Sequence, residues 1–334
     1  MRHFIIVGVL IALISPVIYL GIAANNVMPI QASLQALTVD WMWNVDAAAI
    51  SFLFSLIMVP LIYSLVVFRR RKGDVGDAEH VEGSTRLEVT WTVVPLLVVS
   101  VFAYLGAYTL GETRIAAPDA LGIGVTAMQW DWRFEYGEGF ASNELHLPVN
   151  RQAVLRMKSL DVIHSFWVPE FRIKQDVLPG RVTEYRITPV RVGRYKVRCA
   201  EMCGVSHSYM ERSVIVSSQA DYDAWVLEQA AAAAALLAQG GPESGKAIVS
   251  QNGCLACHSI DGTALTGPTW RGLYGSSVEL SDSSMVAADE AYLIESVANP
   301  AAKVVLGFQP GIMPQYSLTE SQVNDVVAYL ATLK

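Results

Sequence analysis

Apolar and polar positions follow four successive patterns along the chain. Three long apolar runs come first, at residues 4–24, 47–68 and 90–110. Each is close to the roughly 20 residues that cross a bilayer. The second is interrupted only by Ser51, Ser55, Pro60 and Ser64. From residue 122 to 217 the spacing shortens. Alternating stretches such as "GVTAMQWDWRFEY", "QAVLRMKSL" and "GRYKVRCA" are split by Pro and Gly turns, which predicts an all-β sandwich or barrel. An alanine tract follows in "ADYDAWVLEQAAAAAALLAQG". Alanine is the best helix former, so residues 218–241 read as a helical spacer, ended by Gly240, Gly241 and Pro242. The last segment, 242–334, has helical signals at both ends. Val323, Val326, Val327 and Leu330 form one apolar stripe, and Thr319 with Gln322 suits a capping box.

Composition and charge turn this pattern into a topology. Hydrophobic residues make up 52% of the 334 and charged ones 16%, which is too apolar for an ordinary soluble protein. The excess sits in the first 110 residues. Arg69, Arg70, Arg71 and Lys72 follow the second run directly, so the loop 69–88 is expected in the cytoplasm. The hairpin 40–112 then sends everything after Gly111 outside. Segment 1–24, behind Arg2 and His3, reads either as a signal peptide or as an extra transmembrane helix. The net charge of −7 makes nucleic acid an unsuitable partner. His3 and His80 have no donor neighbours in sequence and are expected in solvent.

"CLACH", at Cys254, Cys257 and His258, carries the attachment signature of c-type haem. On one turn both thiols reach the two vinyl groups of a porphyrin, and the next residue sets an imidazole under the iron. A disulfide or half a zinc site would use the same cysteines, but no Cys or His follows His258. The sixth ligand is then a methionine. Of Met285 and Met313, the loop "GIMPQY" favours Met313, and His/Met ligation raises the haem potential.

"CAEMCGVSHSYM", residues 199–210, gathers two of the four cysteines, one of the six histidines and two methionines. Outside the cytoplasm a disulfide is chemically allowed, and a structural zinc site remains open. Zinc has no use for a thioether, whereas two thiolates, an imidazole and a methionine suit copper. A further histidine would have to come from a distant strand. His164 in "SLDVIHSFWVPEF" fits, with Asp161 placed to orient its imidazole. His146, in "NELHLPVN", is the weaker candidate.

Two resemblances sharpen these readings. Segment 242–334 resembles class I cytochrome c, including the "GP" at Gly267 and Pro268. Residues from about 40 to 217 resemble subunit II of cytochrome c oxidase in "LEVTWTVVP", "QWDWRFEY", "DVIHSFWVPEF", "KQDVLPGR" and "CAEMCGVSHSYM". The second resemblance implies a cupredoxin-like sandwich over 120–217 and a dinuclear copper A centre. Cys199 and Cys203 would bridge both coppers, and His164 and His207 would each cap one. Met210 would be a weak ligand to one copper and the Glu201 carbonyl to the other. It also implies that the Glu201 side chain binds magnesium at the interface with subunit I. Trp130 would be the surface residue where cytochrome c delivers its electron. Met128 stands where many relatives have His, and no ligand role is drawn from it. Glu88 has two readings. With Thr85 it would form a capping box on the second hairpin helix, and the resemblance places it near the cytoplasmic mouth of a proton path.

The chain is therefore expected to be a multidomain protein of the bacterial plasma membrane. N-terminal transmembrane helices, a cupredoxin-like sandwich and a small all-α cytochrome c domain would follow one another, with both soluble domains extracytoplasmic. The resemblance implies an electron-accepting oxidase subunit of caa3 type. Its partners would be subunit I with haem a and copper B, subunit III, and cytochrome c or another respiratory donor. A nitric oxide reductase with a copper A subunit is the closest rival. A membrane-anchored carrier without a catalytic partner is another, although a carrier needs only one anchor.

Overall fold

The apolar runs form three helices in the computed structural model, α1 (Arg2–Ala24), α2 (Leu34–Val67) and α3 (Thr85–Thr113). Each is long and apolar enough to cross a membrane. The structure describes all residues except Asn26, Arg71, Asp74, Asp77, Ala78, Glu79, Val81, Ala264 and Pro314. Arg71 of the basic block and Pro314 of the methionine loop thus lie outside the described residues. At 34 residues, α2 is about 50 Å long, more than the ~30 Å of a hydrocarbon core. The surplus is its first turns, which carry Asp40 and Asp46. Pro60 and Pro95 sit inside α2 and α3, which membrane helices tolerate better than soluble ones.

One local expectation changes. His3 is exposed, as expected, although its Nδ1 lies 2.7 Å from the Tyr63 hydroxyl and its ring packs against Tyr63 and Phe68. The start of α1 thereby meets the end of α2, so the two run antiparallel. His80 is exposed, as expected. The capping box at Thr85 and Glu88 does not form. The N-cap of α3 is Ser84, with no side-chain cap bond. Thr85 is already inside the first turn, so its hydroxyl cannot serve as the cap. Glu88 is exposed in that turn.

Contacts divide the chain into two units, the first being Met1–Ala120 with Val168–Ile173 and Arg186–Arg191. In it the N-terminal end of α2 is stitched to both short segments. Ser33 caps the helix, accepting from the Ala36 amide at 3.1 Å, and donates to the Phe171 carbonyl at 2.8 Å. The Leu34 amide donates to the Thr188 carbonyl at 2.9 Å, and the Thr188 amide to the Gln35 side chain at 3.0 Å. Arg172 closes the arrangement with a bidentate pair to Asp40, at 2.7 and 3.2 Å. It also donates to the Pro29 and Pro169 carbonyls. Its backbone is left-handed, φ +57°.

The second unit comprises Leu121–Trp167, Lys174–Tyr185 and Val192–Lys334. Its sandwich is built from β1 (Leu121–Met128), β2 (Asp131–Tyr136), β3 (Phe140–Ser142), β4 (Leu145–Pro148), β5 (Ala153–Ser159), β6 (His164–Val168), β7 (Ile173–Val177), β8 (Thr183–Ile187), β9 (Gly193–Cys199) and β10 (Glu211–Ser217). One sheet runs β3-β2-β1-β5-β8 and the other β4-β10-β9-β6-β7. Alternation decides which side chains face inward. In β9, Tyr195, Val197 and Cys199 are buried while Arg194, Lys196 and Arg198 are exposed. Trp132 and Phe134 of β2 and Phe166 of β6 fill the space between the sheets, all fully buried.

The spacer is a helix, α4 (Gln219–Gln239), but it has a specific seat. Trp225 stacks on His146 at 3.8 Å with rings 4° apart, and meets Tyr136 and Phe140 edge-on. Gly240, at φ +66°, breaks the helix, and Gly241 and Pro242 open the next one rather than ending this one. The terminal region packs α5 (Gly241–Gln251) across α7 (Glu320–Leu330), with α6 (Glu290–Ala298) beside α7. Gly245 marks the crossing, because a Cβ there would collide with the Asp325 carbonyl. Asp325, buried on α7, accepts from the Gly241 amide and the Ser244 hydroxyl, both at 2.7 Å. The expected capping box at Thr319 and Gln322 forms. A short ribbon, β11 (Ser277–Glu279) with β12 (Met285–Ala287), adds to the helices and was not apparent in the sequence pattern.

Arg172→Met should leave Asp40 partly buried without its partner and lower unfolding stability by about 3 kcal/mol. Lys196→Met, which breaks an exposed pair with Glu211, should cost less than ~1 kcal/mol. Denaturant titration of the purified chain in detergent compares the two.

Candidate metal and haem centres

The loop 199–210 leaves β9 and returns as β10, whose antiparallel register sets Glu211 opposite Arg198. One more bond, from the Cys199 amide to the Met210 carbonyl at 3.1 Å, closes its base. β6 lies on the other side of β9 with Phe166 opposite Cys199. His164, two residues earlier on β6, therefore reaches the start of the loop. It is fully buried. The ligand atoms of His164, Cys199 and Cys203 all lie within 4.8 Å of one another.

The donors divide into two sets. Cys199 Sγ is 3.9 Å from His164 Nδ1, and Cys203 Sγ is 3.4 Å from His207 Nδ1. The two sulfurs are 3.7 Å apart and not bonded to each other, so the disulfide reading does not describe this loop. Met210 Sδ sits 3.7 Å from Cys203 Sγ and is buried. The Glu201 carbonyl lies 3.2 Å from Cys199 Sγ while its side chain is exposed. Two soft sulfurs between two imidazoles, with a thioether at one end and a carbonyl at the other, form a donor set that fits a thiophilic metal.

Electrostatics at the site follow from these contacts. Burial alone would raise the Cys199 thiol. Hydrogen bonds with His164 and with the backbone at Glu201 and Ser165 outweigh burial and bring it down to about 6. Burial and the neighbouring Cys199 push Cys203 up to about 12. Burial would lower His164, but Asp161 and Cys199 carry it up to about 9. Burial would likewise raise Asp161, and the bond with His164 holds it below the usual carboxylate range. Asp161 Oδ1 lies 2.8 Å from His164 Nε2, which leaves Nδ1 aimed at Cys199. Asp161 is itself fixed by the Gln129 and Val162 amides, each at 2.6 Å.

Trp130 stands against the loop. Its indole N–H donates to the Cys203 carbonyl at 3.1 Å, beside the Gln129 side chain at 2.7 Å. Gly204, at φ +123°, makes room: a Cβ there would come within 2.9 Å of the indole. Trp132 escaped the sequence reading. Its indole points at the Met210 carbonyl at 3.4 Å, and its ring meets His164 edge-on. The only hint was its place in "QWDWRFEY". His146 is not near these sulfurs; it stacks on Trp225. Met128 sits half-buried at the end of β1.

A cavity in the helical region is lined by Cys254, Cys257, His258, Phe308, Met313 and Tyr316, among others. His258 Nδ1 donates to the Pro268 carbonyl at 2.8 Å, so Nε2 is the free nitrogen. The ring lies flat on Trp270, centroids 4.7 Å apart. Gly267 is needed beside it, because a Cβ would approach His258 Cε1 to 2.7 Å. Burial pushes the Cys254 thiol up to about 11 and raises Tyr316 to about 12. An apolar slot with two free thiols, one oriented imidazole and one thioether matches the demands of a covalently held haem. Met285 is exposed on β12 and does not line this cavity. Trp270 and the Pro268 carbonyl are the contributors that spacing alone did not reveal.

Comparison with known proteins agrees with this layout. Residues 20–107 match the family described as "Cytochrome C oxidase subunit II, transmembrane domain", and residues 140–218 its "periplasmic domain". Residues 242–334 match "Cytochrome c". Among relatives, cytochrome c oxidase subunit 2 of Synechocystis sp. is 32% identical over 292 residues, covering 73% of this chain and 88% of the relative. That of Thermostichus vulcanus is 33% identical, covering 68% and 85%. That of Alkalihalophilus pseudofirmus is 28% identical and covers 87% of both.

Asp161→Asn should weaken the hold on His164 and lower metal affinity about 10–100-fold. Competition with a chelator, followed by the metal's absorption bands, measures this.

Proposed function

The chain belongs to the cytochrome c oxidase subunit II family, with a cytochrome c domain at its C-terminus, and from this membership we propose its detailed role. It is the subunit through which electrons enter a haem–copper terminal oxidase. Electrons pass from haem c by way of a dinuclear copper A centre to subunit I, where O2 is reduced to water with proton translocation. The observation that carries this reading is the number and kind of donors gathered at the sulfur site. Cys199 lies by His164 and Cys203 by His207, with the sulfurs 3.7 Å apart. Met210 Sδ stands beside Cys203 and the Glu201 carbonyl beside Cys199. Six donors, a thioether and a carbonyl among them, exceed the four of a structural zinc site and suit a pair of coppers.

Each residue has a role in this reading. Cys199 and Cys203 bridge, His164 and His207 cap, and Met210 and the Glu201 carbonyl are the weak ligands. Asp161 positions His164. Trp130, bonded to the Cys203 carbonyl, is the point where an outside donor hands over its electron. The exposed Glu201 side chain binds magnesium together with subunit I. Cys254 and Cys257 hold haem c, with His258 and Met313 as axial ligands. Glu88, exposed in the first turn of α3, marks the mouth of a proton path. Subunit III completes the assembly.

The intact purified complex tests the role as a whole. Oxygen uptake should accompany oxidation of haem c, and Cys203→Ser should abolish the mixed-valence copper spectrum. Copper and haem c bands with no oxygen reduction would instead favour a nitric oxide reductase subunit or a carrier. Met313→Leu should shift the haem c spectrum and lower its potential, a change read by redox titration.

A further inference from the structure

The copper-ligand loop and the haem-attachment loop belong to the same compact unit, and two observations bring them together on one face. Gly253, just before Cys254, touches the sandwich: a Cβ on it would lie 3.1 Å from Leu160 Cδ1. Arg133 of β2 is the second. Trp132 and Phe134 on either side of it point into the core, so Arg133 points outward, yet it is only 7% exposed. It is covered where Phe140 and Asn143 of the sandwich meet Leu236 of α4 and Ser250 and Gln251 of α5 around a shared cavity. Burial lowers the Arg133 pKa, and the nearby Cys254 opposes this. The seat of Trp225 fixes α4 at the sandwich end of this contact.

Resting on the reading of the two redox groups given above, we propose that this chain's cytochrome domain docks over Arg133, Leu160 and Asp161 of its own sandwich. In that docked state its electron enters the copper site at the His164 end. The chain of contacts supports that end. Gly253, next to Cys254, meets Leu160, which precedes Asp161; Asp161 holds His164 at 2.8 Å, and His164 faces Cys199. Trp130 leans on the opposite thiol, at the Cys203 carbonyl. The tethered donor and an outside donor would thus use different edges. The step is one electron: haem c is oxidised, the copper pair is reduced, and no bond or proton changes hands. The alanine-rich helix acts as a mount rather than a loose tether. The haem-bearing segment 241–334 has nine acidic residues against four basic ones, which suits a docking face centred on an arginine.

Leu160 is 38% exposed and ligates nothing, so it can be changed without touching either centre. The full oxidase complex carrying p-benzoylphenylalanine at Leu160 should, on illumination, cross-link to the tryptic peptide containing Cys254 and Cys257. Leu160→Glu should retain both sets of absorption bands and the rate at which an outside donor reduces the copper site. It should slow electron transfer from haem c to copper by about tenfold in flash photolysis. A cross-link only to other peptides or other subunits, or an unchanged internal rate in Leu160→Glu, would overturn the docking. If haem c never reduces copper even in the unmodified complex, the proposed function fails instead.

Discussion

The bond from the Cys199 amide to the Met210 carbonyl closes the metal-ligand loop at its base, and the other features of that site depend on the closure. It is the continuation of the β9–β10 ladder, so the loop inherits the rigidity of a central pair of strands. Between its ends the chain must place two sulfurs, an imidazole and a thioether within a few ångströms. A free loop of this length would lose much entropy on ordering those groups. The ladder removes most of that freedom before any metal arrives, and Gly204 takes the positive-φ turn that lets Trp130 lie against the loop.

Support for the donors comes from neighbouring strands. β6 brings His164 alongside, and Asp161 selects which nitrogen faces the sulfur. Asp161 is in turn held by the Gln129 amide, next to Trp130. The haem pocket uses the same device, with the Pro268 carbonyl orienting His258 and Trp270 flattening its ring. In both places a buried histidine is fixed through one ring nitrogen, which leaves the other free.

In the first unit, the partly buried Arg172–Asp40 pair and the Ser33 cap tie the start of α2 to the short segments 168–173 and 186–191 of the same unit. The pair is worth little against solvent, but each charge would be costly alone in a partly buried place. The role is to fix geometry rather than to add stability. Trp225 does the corresponding work for α4, using aromatic area in place of charge.

Much of this was legible in the chain itself. Apolar length gave the membrane helices, because a bilayer demands about 20 apolar residues whatever their neighbours. Period-two alternation gave the sandwich. The haem signature was local, since two thiols and an imidazole must act on one porphyrin. Long-range contacts were beyond sequence spacing. Nothing in the alanine tract announced that Trp225 would find His146, nor in His3 that Tyr63 would meet it. Thr85 and Glu88 had the letters of a capping box, but the helix began one residue earlier and left the box unmade. Trp132 and Trp270 meet His164 and His258 only because strands and loops distant in sequence converge. Local chemistry is written in short-range pattern, whereas the second partner of each functional side chain is chosen by packing.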